Sequence, residues 1–350
     1  MNNKLFFCTL FDKNYLSRGL AMYESLLAQC PDFHLYIFAF DEPSFQYLTQ
    51  YYNKENITAI SLKQFETPAL LSIKKGRSIA EYCWTCTPFV IKHCIENYGI
   101  DHCTYLDADL YFYSNPRVLI DEASANSVLI TPHFYYPGYD QSALSGIFCV
   151  QFLYIRNDER GMKVLNWWAD ACFKWCYAKF EWGKFGDQKY LDCWSYVFDG
   201  VYICENRGAG MAPWNAVSYN LQQQASSFML TEKSNENKWP LIFYHYHGVK
   251  FFSNGYAYLN DYDLSAEILR FLYMPYLQLV TGITKNISNT GLIAFEKKEY
   301  AWRMYTMKQK TGTYLADVKS HVHKLIAAMK GKGLRRELHG INYNMVKTPD

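Results

Sequence analysis

Residues 4–40 read KLFFCTLFDKNYLSRGLAMYESLLAQCPDFHLYIFAF, and their pattern decides the fold. Lys4–Leu10 is an apolar run of strand length. Tyr15–Gln29 places Leu16, Leu20, Tyr23, Leu26 and Leu27 at helical spacing, and His34–Phe40 is a second apolar run, ended by Asp41-Glu42-Pro43. Strand, helix and strand in succession open a parallel, doubly wound α/β sheet. The alternation continues with a helix over Glu42–Tyr52, a strand over Ile57–Ser61 and a helix over Ile79–Asn97. A strand, Cys103-Thr104-Tyr105-Leu106, then runs directly into Asp107-Ala108-Asp109. Further strands are predicted over Val128–Pro132, Gly146–Ile155 and Trp239–Tyr246, with helices over Glu159–Phe180 and Asp187–Phe198. From about Gly255 onward the pattern turns helical, which divides the chain into 1–255 and 256–350.

Ligands of open α/β sheets bind beyond the carboxyl ends of the strands, so the position of Asp107-Ala108-Asp109 matters. Two carboxylates separated by one residue at a strand end can share one hard divalent cation, which prefers oxygen ligands and can bridge phosphate oxygens. Apolar sequence on both sides of the pair argues against charges that merely face water. In Phe243-Tyr244-His245-Tyr246-His247-Gly248, an extended strand turns both histidines to one face, and either imidazole could complete the coordination. Lys250, just beyond, could meet a phosphate as a point charge. Asp187, in Phe185-Gly186-Asp187-Gln188-Lys189, stands where a helix N-cap is expected; it reads equally as a carboxylate beside a reacting group, with Gln188 next to it.

Composition narrows the class. Half of the 350 residues are hydrophobic, and the 31 tyrosines and 23 phenylalanines suit clefts that stack on flat ligands or sugar faces as well as tyrosine-rich cores. The formal charge is +2, but residues 308–350 hold nine basic against three acidic side chains, leaving 26 against 30 in the first 307. A slightly acidic body with a basic tail does not fit a nucleic-acid binder. No apolar run approaches the ~20 residues of a membrane span and no signal segment is evident, so a cytoplasmic protein is expected. Eleven cysteines in surroundings such as Tyr82-Cys83-Trp84-Thr85-Cys86 predict reduced, buried thiols. Val318, Val322, Leu325, Ile326 and Met329 form an apolar helical stripe flanked by Lys319, Lys324, Lys330, Lys332, Arg335 and Arg336, the pattern of a helix that lies on an anionic membrane surface.

From Phe6 to about Lys250 the chain resembles the GT-A nucleotide-sugar transferases, and more narrowly the bacterial glycosyltransferase 8 type that includes lipopolysaccharide galactosyltransferases. Four features carry the likeness in the same order: Phe7-Cys8-Thr9 with Asn14-Tyr15, the strand-terminal Asp107-Ala108-Asp109, Asp187-Gln188, and His245-Tyr246-His247-Gly248. The resemblance implies a GT-A fold over 1–255 and retaining, metal-dependent transfer from a nucleotide-diphosphate sugar, with UDP as the expected nucleotide. It implies a glycan or lipid-linked acceptor in surface polysaccharide synthesis. Asp107, Asp109 and His245 would hold Mn²⁺ or Mg²⁺, Thr9 and Tyr15 would contact the nucleotide, and Asp187 and Gln188 would flank the donor sugar. Three positions depart from the pattern. Lys250 follows His245 by five residues rather than six, Leu144-Ser145-Gly146 replaces Asn-x-Gly, and Gly210 stands where similar chains often have Asn. Two other readings use the same sheet: a carbohydrate- or nucleotide-binding protein without turnover, and a metal-dependent nucleotidyltransferase. The latter calls for a glycine- and basic-rich loop after the first strand, and Thr9–Tyr15 has neither glycine nor arginine.

Overall fold

The computed structural model describes residues 4–225, 227–253, 255–293, 295 and 345–348. Its chain forms two compact units, residues 1–247 with 263–295 and residues 248–262 with 296–350. The first unit is built on a seven-stranded mixed sheet in the order β3-β2-β1-β4-β7-β6-β8. These strands are β1 (Leu5–Phe11), β2 (Phe33–Ala39), β3 (Ile57–Ser61), β4 (His102–Leu106), β6 (Val128–Pro132), β7 (Phe148–Arg156) and β8 (Val201–Ile203). All run parallel except β7, which is antiparallel to both β4 and β6. The α/β alternation expected from residues 4–40 is thus the one that forms. Winding to either side of the β1/β4 pair makes that pair the switch point, where a crevice opens at the carboxyl ends.

Apolar residues of two helices fill one face of the sheet. Val90, Ile91 and Cys94 of the helix Ile79–Tyr98 and Val164, Leu165 and Trp168 of the helix Glu159–Lys174 share one buried cluster with Cys8, Cys103, Tyr105 and Val128 of the strands. A capping box between Ser78 and Glu81 starts the first of these helices, and Gly99, in the left-handed conformation, ends it. The other long helix stops at Lys174, short of the expected Phe180, because Trp175 turns to extended backbone. All eleven cysteines are free and nine are buried.

Two small sheets complete the first unit. β5 (Leu110–Phe112), β13 (Phe243–His245) and β9 (Ala209–Met211) pair in the order β5-β13-β9, and β10 (Tyr219–Gln223), β11 (Phe228–Glu232) and β12 (Lys238–Pro240) form an antiparallel meander. The expected strand Trp239–Tyr246 is therefore two strands in different sheets, parted at Pro240, which cannot donate to a ladder. Gly208 lies so close to the other side of that break that a Cβ on it would stand 1.9 Å from the Pro240 carbonyl oxygen. Since the obstacle is backbone, Gly208→Ala should cost about 3 kcal/mol of stability, measured as a shift of the urea midpoint.

The division of the chain differs from the expected boundary at 255. The helix Met274–Asn289 belongs to the first unit because Tyr276 stacks on Tyr246 with centroids 3.6 Å apart, and Tyr273 packs edge-on against Tyr244 at 5.6 Å. Residues 248–262 join the second unit through a hairpin of β14 (Lys250–Phe252) and β15 (Tyr256–Tyr258), which pairs with β16 (Met345–Lys347). The basic amphipathic stripe over residues 318–336 lies outside the described residues. Among those described, no helix is long and apolar enough to cross a membrane.

Candidate metal and donor site

β4 delivers Asp107 to the crevice and β5 leaves from Leu110, so Asp107-Ala108-Asp109 forms the turn between them. β5 pairs antiparallel with β13, which sets His245 opposite Leu110, and the Tyr246 amide donates to the Asp109 carbonyl at 2.9 Å. Two segments distant in sequence thus meet in one place. His245 Nε2 lies 3.1 Å from Asp109 Oδ1 and 3.8 Å from Asp107 Oδ2. His245 and Asp109 are buried, while Asp107 is partly open.

Electrostatics follow from this crowding. Burial, with the Asp109 charge beside it, pushes Asp107 up to about 6 against the pull of His245. Burial would raise Asp109 as well, yet the charge and hydrogen bond of His245 hold it down to about 2. Burial disfavours the imidazolium of His245, and Asp109 outweighs this, so its pKa stands well above the usual histidine range. Asp187, also buried, is pushed up to about 7 by burial and by the charge of Asp107. Asp107 and Asp109 share one site in which His245 is the cation at ion-pair distance, and Asp187 lies near enough to feel the Asp107 charge. Two oxygen donors and one imidazole nitrogen form a donor set that suits a hard divalent cation, and the surplus negative charge favours it.

Asp187 does not cap a helix. The expected helix over Asp187–Phe198 is a 3₁₀ turn, Lys189–Cys193, followed by one short α-turn, and the position before it makes no side-chain capping bond. The Trp168 indole donates to the Asp187 carbonyl at 2.9 Å, which fixes the loop, and Gln188 Nε2 donates to the Ser145 carbonyl at 2.8 Å. Thr9 lies on β1 near the switch point, fully buried, with a hydroxyl that has no partner among the described residues. Tyr15 precedes the helix Leu16–Gln29, and the Arg18 guanidinium stands 4.4 Å over its ring.

No protein-family model matches the chain. It is 28% identical over 283 residues to the uncharacterized protein YfnD of Bacillus subtilis (strain 168), spanning 77% of this chain and 87% of that protein. It is 29% identical over 255 residues to the uncharacterized protein YfnF of the same organism, spanning 71% and 82%. Among solved structures it is similar to the galactosyltransferase LgtC in complex with donor and acceptor sugar analogues. That likeness is 14% in sequence, covers 80% of this chain and 96% of the other, and has a TM-score of 0.48.

The two histidines of the strand are not equivalent. Their rings lie 5.6 Å apart and Trp214 packs edge-on against both, but His247 is exposed. Among the described residues the ion pairs to Asp107 and Asp109 come from His245. Lys250 belongs to the second unit, where it opens β14 with its ammonium 5.4 Å from the centroid of the Tyr258 ring.

Sequence reasoning missed three neighbours of the site. Cys149 and Gln151 lie two apart on β7, hence on one face of it. The Cys149 thiol, an Asp107 oxygen and a His245 nitrogen all lie within 4.8 Å of one another. Gln151 Oε1 is 2.7 Å from His245 Nδ1. Arg18, buried on the first helix, adds a positive charge that lowers Asp109. The signal for Gln151 was a lone amide inside the apolar run Phe148-Cys149-Val150-Gln151-Phe152-Leu153, where an unpaired polar group would be costly.

Proposed function

We propose that the chain is a glycosyltransferase that moves a sugar from a nucleotide-diphosphate donor, with UDP as the expected nucleotide, to a glycan or lipid-linked acceptor in surface polysaccharide synthesis. The observation that carries this reading is the convergence of Asp107, Asp109 and His245 at the carboxyl end of β4. In this reading Asp107, Asp109 and His245 hold Mn²⁺ or Mg²⁺. When bound, the cation supplies charge neutralisation for the diphosphate leaving group.

The remaining roles belong to the chain. Thr9, whose hydroxyl has no partner among the described residues, and Tyr15, whose ring is half-exposed, are assigned to the nucleotide, and the phosphate role of Lys250 rests on the resemblance alone. Asp187 and Gln188 flank the sugar; Gln188 Nε2 is already committed to Ser145, which leaves its amide oxygen to accept from a sugar hydroxyl. The bond between the anomeric carbon and the diphosphate oxygen breaks, its electron pair leaving with the nucleotide. The acceptor hydroxyl forms the new bond and gives up its proton. Retention follows from the resemblance, and no carboxylate is assigned as a covalent nucleophile.

Thermal-shift measurements against UDP-, GDP-, CMP- and dTDP-sugars, with and without Mn²⁺, test the reading. A donor at a hundred times its Kd adds about 2.7 kcal/mol of stability, so one sugar nucleotide should stand out and only with metal present. No metal-dependent shift from any of them would overturn it. The same titration separates the histidines. His245→Ala should weaken Mn²⁺-dependent donor binding by about tenfold or more, since losing a ligand costs at least as much as losing the group behind one. His247→Ala should stay within a few-fold of wild type, and equal or reversed effects would move the role to His247.

A further inference from the structure

Gln151 is fully buried in the middle of the sheet, on a strand whose neighbours are apolar. A primary amide in that setting is unfavourable unless its groups are hydrogen-bonded, and one of them is not: Nε2 has no partner among the described residues. What Gln151 does bond to is the candidate metal site, twice. Its backbone carbonyl accepts from the Asp107 amide at 3.0 Å, and its side-chain oxygen lies 2.7 Å from His245 Nδ1. The first bond follows from register. β4 and β7 pair antiparallel up to Leu106 opposite Phe152, so the next residues along are Asp107 and Gln151. The second reaches across to β13. One residue therefore anchors the main chain of one candidate ligand and the ring of another.

The chemistry of the contact is directional. An amide oxygen only accepts, so the proton on the facing ring nitrogen stays on Nδ1. Nε2, between Asp109 at 3.1 Å and Asp107 at 3.8 Å, is then the ring nitrogen left to bind a cation. The opposite amide orientation would present N–H groups to Nδ1 and demand the other tautomer, which carries its proton toward the carboxylates. Gly210 makes room for the arrangement. Its φ is +114°, and a Cβ there would stand 2.9 Å from Gln151 Nε2, so the chain carries glycine where the amide must fit.

We propose that Gln151 is a positioning residue for the metal site, holding His245 in the tautomer and orientation that present Nε2 alongside Asp107 and Asp109 to a divalent cation. This rests on the metal reading of the site given above. The probe is Mn²⁺ itself, with free ion counted by electron paramagnetic resonance in the presence of UDP, on the full-length chain. Gln151→Met keeps the length of the side chain and removes the acceptor, and it should weaken Mn²⁺ binding about 10- to 100-fold. Gln151→Glu restores an acceptor opposite Nδ1 and should return affinity to within a few-fold of wild type. A residue that only fills space would give the two variants the same effect, so equal losses in both, or wild-type affinity in Gln151→Met, overturn the proposal.

A second measurement needs no variant. With Mg²⁺ and UDP bound to histidine-labelled wild type, long-range ¹H–¹⁵N spectra should place the ring proton of His245 on Nδ1, and a proton on Nε2 instead overturns the assignment. If wild type binds no Mn²⁺, the metal reading fails and this inference with it. Wild-type binding that Gln151→Met leaves unchanged defeats the inference alone.

Discussion

Asp109→Ala should lower sugar transfer by about a thousandfold or more while the protein still folds. The side chain lies in the turn between β4 and β5, and the backbone contact that closes the turn, from the Tyr246 amide to the Asp109 carbonyl, survives the substitution. What disappears is the carboxylate 3.1 Å from His245 Nε2, one of three donors proposed for the cation. Some stability goes with it, because His245 stays buried and loses its counter-charge, a cost of about 1–3 kcal/mol. The pH dependence of that cost has a definite sign. Asp109 is held down to about 2 from an ordinary value of 3.8, so its contribution is present above pH 4 and fades as pH falls through about 2. Wild type and variant should therefore differ in melting temperature at pH 7 and converge in strong acid. Release of nucleotide diphosphate at saturating donor and Mn²⁺ reads the activity, and turnover near wild type would remove Asp109 from the site.

Much of the framework was legible because each part rested on local pattern. Residues 4–40 carry their own strand, helix and strand, and the apolar strand before Asp107 announces a carboxylate pair at its carboxyl end. Less local features were not legible. Gln151 and Cys149 reach the site only because β7 runs antiparallel between β4 and β6, a choice that no periodicity within Phe148–Arg156 encodes. The preference for His245 over His247 likewise comes from pairing: register sets His245 opposite Leu110, one residue from Asp109, whereas His247 lies past the end of the strand. Helical spacing also misled where aromatics are dense. Trp175 and Tyr177 continue the apolar rhythm of the preceding helix, but they turn away and pack edge-on against each other at 5.4 Å.

Asp187→Asn should separate activity from stability and move them in opposite directions. The carboxylate is buried, and burial together with the Asp107 charge lifts its pKa from 3.8 to about 7. A carboxyl group that binds its proton more tightly when folded destabilises the native state as it ionises. The penalty is absent near pH 4, grows between pH 4 and 7 and is complete above 7. The asparagine amide carries no charge in that range and keeps an oxygen acceptor where the carboxylate stood. The bond from the Trp168 indole to the carbonyl of residue 187 involves only backbone on that side and remains. In the metal-free protein Asp187→Asn should thus add on the order of 2 kcal/mol at pH 8 and almost nothing at pH 4.5. Transfer should fall about a hundredfold, because the proposed reaction places a negative charge beside the sugar as positive charge develops at the anomeric carbon. Such a gain in stability with loss of turnover is what a strained polar site produces and what a packing residue does not. Urea melts at the two pH values and steady-state transfer at pH 7.5 test it together. A variant that is less stable at both pH values, with activity unchanged, would make Asp187 an ordinary structural carboxylate and leave the sugar to Gln188 alone.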